Sequence, residues 1–303
     1  MTDMTALYQF FRDNFPEEIL KFQEPLWKHT SFRIGGPAAV MVFPRSAEEL
    51  ASVLRKSALL DCKTVILGAG TNVLAPDSGM ENLVVCLKDC LVGKEILPDN
   101  RIRVFAGETM TKAAVFAANH GLSGLEFAHG IPGTVGGGVY MNAGAYGGEI
   151  CNICESVDVM DRAGEIRTLT AEEMGFSYRH SVLEESGDIV VSAVFRLTPE
   201  SPENIREKMK ELMEKRSASQ PLDMPSAGSA FKRPVGGYAA ALIDQAGLKG
   251  YSVGGAAIST KHAGFAVNLG NATAEDVKNL LKQVSDRVFD HSGIRLEPEV
   301  RIW

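Results

Sequence analysis

The chain has 303 residues, enough for about two domains at roughly 150 residues each. Apolar residues make up 45% of the sequence and charged residues 23%, as in ordinary globular proteins, which excludes a disordered or fibrous chain. The 31 Lys and Arg residues against 38 Asp and Glu residues give a net charge of −7. This charge excludes a general positive field for nucleic acid or an anionic membrane.

The apolar runs and the cysteines exclude further classes of protein. The apolar runs fall well short of the ~18 residues of a membrane span, and the first residues do not read as a secretion signal, so we expect a cytoplasmic protein. Five cysteines, an odd number, argue against a disulfide framework. Cys151 and Cys154 form C-x-x-C, but no second pair completes a zinc site, so we expect reduced thiols and no metal.

The N-terminal part predicts alternating strands and helices. Runs rich in Val and Ile predict strands at residues 38–43, 64–67, 83–87 and 102–106. Between the first two, Ser46-Ala-Glu-Glu49 is a capping box that predicts a helix through Leu54. Another helix is expected after Thr111, ending near Gly121.

The middle of the sequence returns to strands. Residues 156–169 predict two strands joined by a turn at Ala163-Gly164, and Thr170-Ala-Glu-Glu173 is a second capping box that predicts a short helix. Residues 188–197 alternate well enough to predict a half-buried strand. We expect a domain boundary near residues 198–202, where polar sequence flanked by proline separates two differently patterned halves.

The last third predicts a small α+β unit. Helices are expected from Pro202 to about Ser217, across 238–245, and from Thr273 to Gly293, the last with Asp276 completing a capping box. Strands are expected at residues 256–259 and 265–269. The resulting order β-α-β-β-α-β is that of a small α+β sandwich.

Two glycine-rich loops are the first candidates for binding. Of the 30 glycines, ten lie within residues 121–148. Residues 68–72, Gly-Ala-Gly-Thr-Asn, follow a predicted strand, and their N–H groups can cradle a phosphate, although a structural turn is as consistent with this loop alone. Residues 130–148 let the backbone lie against a flat or phosphorylated ligand, the alternative being a tightly packed crossover. Two such loops in one domain favour a dinucleotide cofactor.

Three further segments carry isolated polar candidates: residues 176–181, 226–234 and 296–301. Ser229, in the second of them, lacks the G-x-S-x-G elbow and is followed by no histidine in hydrolase order. Acyl transfer by a serine nucleophile is therefore unsupported.

Six motifs in order resemble the UDP-N-acetylenolpyruvoylglucosamine reductase family. They span the sequence from Thr30 to Arg301, so accidental agreement is excluded for practical purposes. They are Thr30-Ser-Phe-Arg-Ile-Gly-Gly-Pro-Ala38, Gly68-Ala-Gly-Thr-Asn72, Gly130-Ile-Pro-Gly-Thr-Val-Gly-Gly137, Tyr178-Arg-x-Ser181, Gly228-Ser-x-Phe-Lys232 and Leu296-Glu-Pro-Glu-Val-Arg301.

The resemblance implies an α+β fold, a two-lobed FAD-binding domain of the vanillyl-alcohol-oxidase (PCMH) type plus a smaller α+β substrate-binding domain. The first is expected at residues 1–198, with lobes at roughly 1–88 and 89–198, and the second at 199–296. Residues 297–303 would return to the N-terminal lobe. The sequence lacks the tyrosine-bearing insertion of the longer family form, so it resembles the shorter, second type.

The reaction implied is the reduction of UDP-N-acetylenolpyruvoylglucosamine to UDP-N-acetylmuramate for bacterial peptidoglycan. NADPH is the co-substrate of a tightly but non-covalently bound FAD, and a hydride passes from the reduced flavin to C3 of the enolpyruvyl group. By resemblance, Arg179 stabilises the charge on the carboxylate of the enolpyruvyl group, Glu299, if protonated, donates a hydrogen bond to the same carboxylate, and Ser229 gives a proton to C2. Glu297 is then structural, and His262 either lines the site or is structural.

The resemblance also assigns binding residues. It gives to FAD Arg33, Gly68, Ala69, Gly70, Thr71, Asn72, Gly130, Ile131, Gly133, Thr134, Gly136 and Gly137. It gives to the UDP-sugar Asn142, Tyr146, Tyr178, Arg216, Gln220 and Lys232. We expect small-molecule substrates, no nucleic-acid or membrane partner, and a monomer.

Two other functions stay open at this point. One is a flavin oxidase of the same cofactor fold acting on an alcohol, which O₂ alone would reoxidise rapidly. The other is a nucleotide-sugar-binding protein without turnover, against which the set Arg179, Ser229 and Glu299 argues, because a binder needs no proton donor.

Overall fold

A computed structural model describes residues 4–60 and 62–303. Its α-helices, numbered in order along the sequence within those ranges, are α1 (Met4–Asn14), α2 (Ala47–Ala58), α3 (Met110–Asn119), α4 (Val135–Tyr140), α5 (Leu183–Ser186), α6 (Pro202–Ser219), α7 (Ala239–Gln245) and α8 (Ala274–Ser292). None of these helices combines the length and the apolar character that crossing a membrane requires.

The strands of the described residues are numbered in the same way. They are β1 (Leu20–Pro25), β2 (Pro37–Val42), β3 (Thr64–Leu67), β4 (Val73–Leu74), β5 (Met80–Cys86), β6 (Lys94–Leu97), β7 (Arg101–Phe105), β8 (Leu122–Ser123), β9 (Gly144–Ala145), β10 (Gly148–Glu149), β11 (Cys154–Met160), β12 (Ile166–Thr170), β13 (Ile189–Arg196), β14 (Thr198–Pro199), β15 (Ser226–Ser229), β16 (Ser252–Val253), β17 (Ala256–Ile258), β18 (Phe265–Asn268) and β19 (Arg301–Ile302).

The protein divides into two compact units, each made of several segments. The first contains the residues up to Phe22, Val40–Ala69 and Asn82–Lys215, and the second Gln23–Ala39, Gly70–Glu81 and Arg216–Trp303. The domain limits expected from the sequence, which follow the bound ligands, remain a proposal.

The core of the first unit lies against two sheets. One sheet has the order β1-β2-β5-β3, of which residues 20–22, 40–42, 64–67 and 82–86 belong to this unit. Its strands β3 and β5 are parallel, with Thr64 opposite Leu83. The other is five-stranded, with the order β12-β11-β13-β7-β6 and antiparallel neighbours. Helix α2 begins as predicted, since Ser46 Oγ accepts a hydrogen bond from the N–H of Glu49 (3.2 Å).

Two sequence predictions in this unit need correction. The box at residues 170–173 forms its hydrogen bonds, since Glu173 N–H donates to Thr170 Oγ1 and Thr170 N–H to Glu173 Oε2, but the segment is only a turn. Gly175 follows at once with φ +54°, which ends it. Strand β13 is not half-buried as its alternation predicts: seven of its eight residues are buried, because it lies in mid-sheet and α4 packs on it.

The second unit is built on a four-stranded antiparallel sheet with helices α7 and α8. The sheet order is β15-β18-β17-β16, so three strands stand between the two helices where the sequence predicts two. Helix α8 has the predicted capping box of Thr273 and Asp276 and ends at Gly293. Strand β19 pairs in parallel with β4, Arg301 lying opposite Val73.

Candidate active site

The two glycine-rich loops meet within the first unit. A Cβ atom placed on Gly68 would lie only 2.5 Å from Thr134 Oγ1, so a larger residue at position 68 would collide with the second loop. Thr134 is itself fixed, because it caps helix α4 by accepting a hydrogen bond from Gly137 N–H (3.3 Å). The contact between Gly68 and Thr134 therefore brings together the two loops that the sequence predicts to bind one ligand.

The second loop is anchored to the connection between β7 and α3. Met110 N–H donates to Gly133 C=O (2.9 Å), and Gly136 N–H donates to Ala106 C=O (2.9 Å). A Cβ atom on Gly136 would lie 2.9 Å from that of Ala106, so glycine allows the close approach. At the start of the loop, Ile131 N–H donates to Ala128 C=O (3.0 Å), next to the half-buried Gly130.

The residues around these loops fit a nucleotide cofactor. Two buried polar atoms beside them, Glu108 Oε2 and His129 Nδ1, have no hydrogen-bond partner among the described residues, as is common next to a polar ligand. Gly137 is exposed on the same loop, and a Cβ atom placed there would lie 3.4 Å from Thr134 Oγ1. A donor set of backbone N–H groups and hydroxyls suits phosphate oxygens and a flat ring.

The rest of the first loop belongs to the second unit. Gly70 has φ +63°, and a Cβ atom on it would lie 2.1 Å from His29 C=O, so only glycine fits there. Its C=O accepts from Ser31 N–H (3.0 Å), while Asn72 C=O accepts from Arg301 N–H (3.0 Å). Ala69, in the first unit, and Thr71 are half-buried, and Arg33 is exposed with φ +56°.

Arg179 stands on a two-residue turn in the first unit. Ser177 and His180 exchange both backbone hydrogen bonds, 3.1 and 3.2 Å long, around Tyr178 and Arg179. Arg179 has φ +55°, a left-handed conformation that costs an arginine of order 1–3 kcal/mol. Its guanidinium donates to the C=O groups of Asn142 (3.4 Å) and Gly144 (3.2 Å).

The other candidates of this unit lie in the turn itself or in residues 142–146, where the Arg179 guanidinium contacts the backbone. Asn142 is 1% exposed, and its side chain bonds to the protein's own groups instead of facing an open surface. Tyr146 lies at the tip of the hairpin formed by β9 and β10, with φ +53°, and is exposed. Tyr178 is also exposed, and the Arg179 guanidinium lies 4.9 Å from the centre of its ring.

Ser229 and Glu299 lie on neighbouring segments in the second unit. Glu299 N–H donates to the C=O of Ala230 (2.9 Å), the residue that follows Ser229. Lys232 N–H donates to Glu297 C=O (2.9 Å), so two hydrogen bonds hold the C-terminal segment along residues 229–232. Ser229 is exposed and Glu299 half-buried.

Further groups of the second unit offer charge and hydrogen bonds. Lys232 is exposed, with its Nζ 3.5 Å from Glu297 Oε2. Arg216, in the last turn of α6, accepts a backbone hydrogen bond from Gln220 N–H (2.8 Å). Gln220 Oε1 is buried with no hydrogen-bond partner within the described residues, which fits a ligand contact.

His262 lies on the loop that precedes β18. Its Nδ1 accepts a hydrogen bond from Gly264 N–H (3.1 Å), while Ala230 N–H donates to Gly264 C=O (2.8 Å). Burial lowers the pKa of His262, and its ring lies edge-on to Phe265. These contacts hold His262 beside the Ser229 segment. Whether it lines the site or is purely structural stays a prediction.

The cysteines are free thiols. Burial raises the pKa of both Cys86 and Cys154 to about 12, which makes them unreactive at neutral pH. Within residues 4–60 and 62–303, no three His, Cys, Asp or Glu side chains cluster as metal ligands would.

The sequence alone predicts neither of two features of the site. Helix α4, inside the glycine run, went unpredicted because three consecutive glycines argue against a helix, although Thr134 three residues before Gly137 was an available N-cap signal. The contacts of Asn142 with Cys151 and Ser177, 9 and 35 residues away, have no sequence signal, because no local pattern predicts which groups the folded backbone brings beside this side chain.

Comparison with known proteins gives consistent matches. Residues 38–170 match a family model described as an FAD binding domain, and residues 220–303 one described as the C-terminal domain of UDP-N-acetylenolpyruvoylglucosamine reductase. The UDP-N-acetylenolpyruvoylglucosamine reductase of Streptococcus pneumoniae strain 70585 is 44% identical over 283 residues, or 93% of each protein.

Solved structures point the same way. The crystal structure of UDP-N-acetylenolpyruvylglucosamine reductase from Thermus caldophilus is 36% identical and matches with a TM-score of 0.77, covering 94% of this protein and 98% of that one. An alkyldihydroxyacetonephosphate synthase, 16% identical over 64% of this protein and 40% of its own length, has a TM-score of 0.50 and shows a likeness of fold alone.

Proposed function

The chain belongs to the UDP-N-acetylenolpyruvoylglucosamine reductase family, and from this we propose that it reduces UDP-N-acetylenolpyruvoylglucosamine to UDP-N-acetylmuramate with NADPH. It is an FAD-dependent oxidoreductase. The product serves peptidoglycan synthesis in the bacterial cytoplasm, and the enzyme acts as a monomer on small molecules alone.

Bound FAD supplies the hydride chemistry that links NADPH to the enol ether of the substrate. The residues expected to hold it are Arg33, Gly68–Asn72, Gly130, Ile131, Gly133, Thr134, Gly136 and Gly137. The contact of Gly68 with Thr134 supports this, since it fixes both loops at one place. Because the protein has a net charge of −7, attraction for phosphate has to come from such local groups.

Arg179 stabilises the negative charge that develops on the substrate carboxylate. A guanidinium is permanently charged and planar, so it pairs with both oxygens of a carboxylate. Support comes from the turn at residues 177–180, which holds this side chain with little freedom to move. An immobile cation costs no reorganisation as the charge appears.

Ser229 gives its hydroxyl proton to C2 and is reprotonated through neighbouring groups, and Glu299, in its protonated form, donates a hydrogen bond to the substrate carboxylate. A serine is a weak acid, so the step depends on the strong basicity of the developing carbanion, with Lys232 as an electrostatic helper. The observation that carries this assignment is the hydrogen bond from Glu299 N–H to Ala230 C=O, which holds the two candidate donors on adjacent segments.

The UDP-sugar is bound by Tyr146, Tyr178, Arg216, Gln220 and Lys232. Asn142, which the resemblance also assigns to the sugar, is buried and supports the site through its hydrogen bond to Ser177 in the Arg179 turn. The exposed tyrosine rings suit stacking on a base or sugar, and the two cations suit the pyrophosphate.

The test is a Ser229→Ala variant studied in two anaerobic phases. Bleaching of the flavin absorbance by NADPH should match the unmodified protein, because that phase needs no proton from Ser229. Recovery of the absorbance on adding the UDP-enolpyruvyl sugar should slow by about 10²–10⁴-fold. The matched control is Ser78→Ala, an exposed serine, which should leave both phases unchanged.

Equal slowing of both phases would instead make Ser229 a cofactor or structural residue. A purified protein that is colourless and binds no added FAD would contradict the whole proposal. Recovery of the absorbance by O₂ alone, as fast as with the sugar, would favour an oxidase.

A further inference from the structure

A group of partly buried hydrogen bonds in the first unit converges on the turn that carries Arg179. Asn142 Nδ2 donates to Ser177 C=O (3.0 Å), the first residue of that turn. The backbone carbonyl of Asn142 accepts from the Arg179 guanidinium (3.4 Å). One residue therefore holds both the backbone that bears Arg179 and the charged end of its side chain.

The rest of the Asn142 side chain is fixed from the opposite direction. Its Oδ1 accepts from Cys151 N–H (2.9 Å), and its Nδ2 also donates to Glu149 Oε2 (3.3 Å). The residue is 1% exposed. An amide is required here because the site needs a donor and an acceptor at once, and neither aspartate nor leucine provides both.

The backbone around Asn142 is strained, as is common at functional sites. Asn142 (φ +40°), Tyr146 (φ +53°) and Arg179 (φ +55°) are non-glycine residues in left-handed conformations. Such conformations are unfavourable, least so for asparagine, and persist only where surrounding contacts impose them. The hydrogen bonds of Asn142 and of the buried Ser181 Oγ to Tyr140 C=O (2.8 Å) supply those contacts.

We propose that Asn142 is a positioning residue for Arg179, locking the turn of residues 177–180 and steering the guanidinium through its own backbone carbonyl. The proposal rests on the proposed role of Arg179 in catalysis. Asn142 acts on the rate only through the placement of Arg179, and a misplacement of about 1 Å costs on the order of 10²-fold in rate.

A double-mutant cycle tests this. The variants are Asn142→Ala, Arg179→Lys and the two together, each measured for the rate of flavin reoxidation by the UDP-enolpyruvyl sugar after reduction with NADPH. Alone, Asn142→Ala should slow reoxidation by about 10–100-fold and leave reduction by NADPH unchanged. In the Arg179→Lys background, where the bidentate grip is already lost, the same substitution should slow it by less than about 3-fold.

The matched control is Asn152→Ala, an exposed asparagine close in sequence, which should not change either rate. If Asn142→Ala does not retain FAD, Asn142→Gly takes its place in the cycle, because glycine adopts the φ of +40° without strain and still removes the side-chain hydrogen bonds to Ser177 and Cys151.

Additive losses in the cycle would overturn the proposal, since a residue that supports the fold generally should slow both backgrounds equally. Unchanged reoxidation in the single Asn142 variant would also overturn it. If the unmodified protein fails to turn over the sugar at all, the proposed function fails instead, so the two failures are distinguishable.

Discussion

Single residues of the site are fixed by close approach and by backbone conformation. Gly136 is needed because Ala106 leaves no space for a Cβ, and Gly70 because His29 C=O occupies that position and φ is positive. His262 is different, because the hydrogen bond that its ring accepts depends on the protonation state of the ring. Its Nδ1 accepts from Gly264 N–H, which a protonated ring cannot do.

We expect His262 to make the stability of the protein depend on pH. Its native pKa is lowered from an ordinary 6.5 by burial. Below about pH 6.5 the unfolded state therefore takes up a proton that the folded protein does not, and the free energy of unfolding falls as pH drops. The variant His262→Asn keeps an acceptor for Gly264 N–H and cannot titrate.

The measurement is urea unfolding of both proteins from pH 7.5 to pH 5. The unmodified protein should lose more stability over this window than His262→Asn, and the difference should vanish above pH 7. Parallel curves for the two proteins would show that burial does not disfavour the charged imidazole.

Helices show which signals in the sequence determine local structure. Ser46 and Thr273 cap α2 and α8 as predicted, because an N-cap needs only residues close in sequence. The box at Thr170 makes the same bonds without a helix, because Gly175 ends the segment within one turn. Local signals therefore predict where helices start better than how far they continue.

The strands and the site show where sequence reasoning stops. The limits predicted for strands at residues 64–67 and 102–106 agree with those of β3 and β7 to within one residue. The Val and Ile content that predicts a strand belongs to the segment itself and does not depend on the rest of the fold. The burial of seven of the eight residues of β13 depends on packing by α4, a helix whose three glycines argue against its prediction. Arg179, Ser229 and Glu299 are assigned by family motifs, and their roles stay predictions, whereas the α+β class with an FAD-binding domain is confirmed.

Helix α8 receives a cap from outside its own segment, and removing it should destabilise the protein. Both carboxylate oxygens of Asp77 accept from Ala274 N–H (2.9 and 2.8 Å), at the positive end of the helix. We expect Asp77→Ala to lower the free energy of unfolding by about 1 kcal/mol.

The free energy of unfolding of Asp77→Asn, which keeps one acceptor oxygen, should lie between those of the unmodified protein and of Asp77→Ala. The matched control Asp223→Ala, an exposed aspartate in a loop, should change stability by less than about 0.5 kcal/mol. Thermal unfolding of all four proteins measures this, and equal midpoints for Asp77→Ala and the control would contradict the capping role.

At the scale of the whole molecule, the two units are interleaved along the sequence. The core of the second unit combines Phe32, Ile34 and Leu74 with helices α7 and α8. Asn268 Nδ2 donates to Phe32 C=O (3.0 Å), and Ser31 Oγ to Ser226 C=O (2.6 Å). The last third of the sequence therefore does not contain all of its own core.

We expect a fragment of residues 201–303 to lack cooperative folding, because it is missing the segments 23–39 and 70–81 of its unit. Urea unfolding followed by circular dichroism should show a broad, gradual change for the fragment and a sharp transition for the full-length protein. A sharp transition in the fragment would mean that residues 201–303 fold without segments 23–39 and 70–81, and would contradict this prediction.

The pairing of β4 with β19 also sets an order of events during translation. The first unit ends at Lys215, so all its segments are synthesised before helices α7 and α8 and strand β19 of the second unit. Until then, Phe32 and Leu74 have no partners from the C-terminal part of their core, and nascent polypeptides with such exposed apolar groups aggregate readily. Premature termination after Lys215 therefore releases a polypeptide with one complete unit and one aggregation-prone remnant, the kind of product that cellular proteases remove.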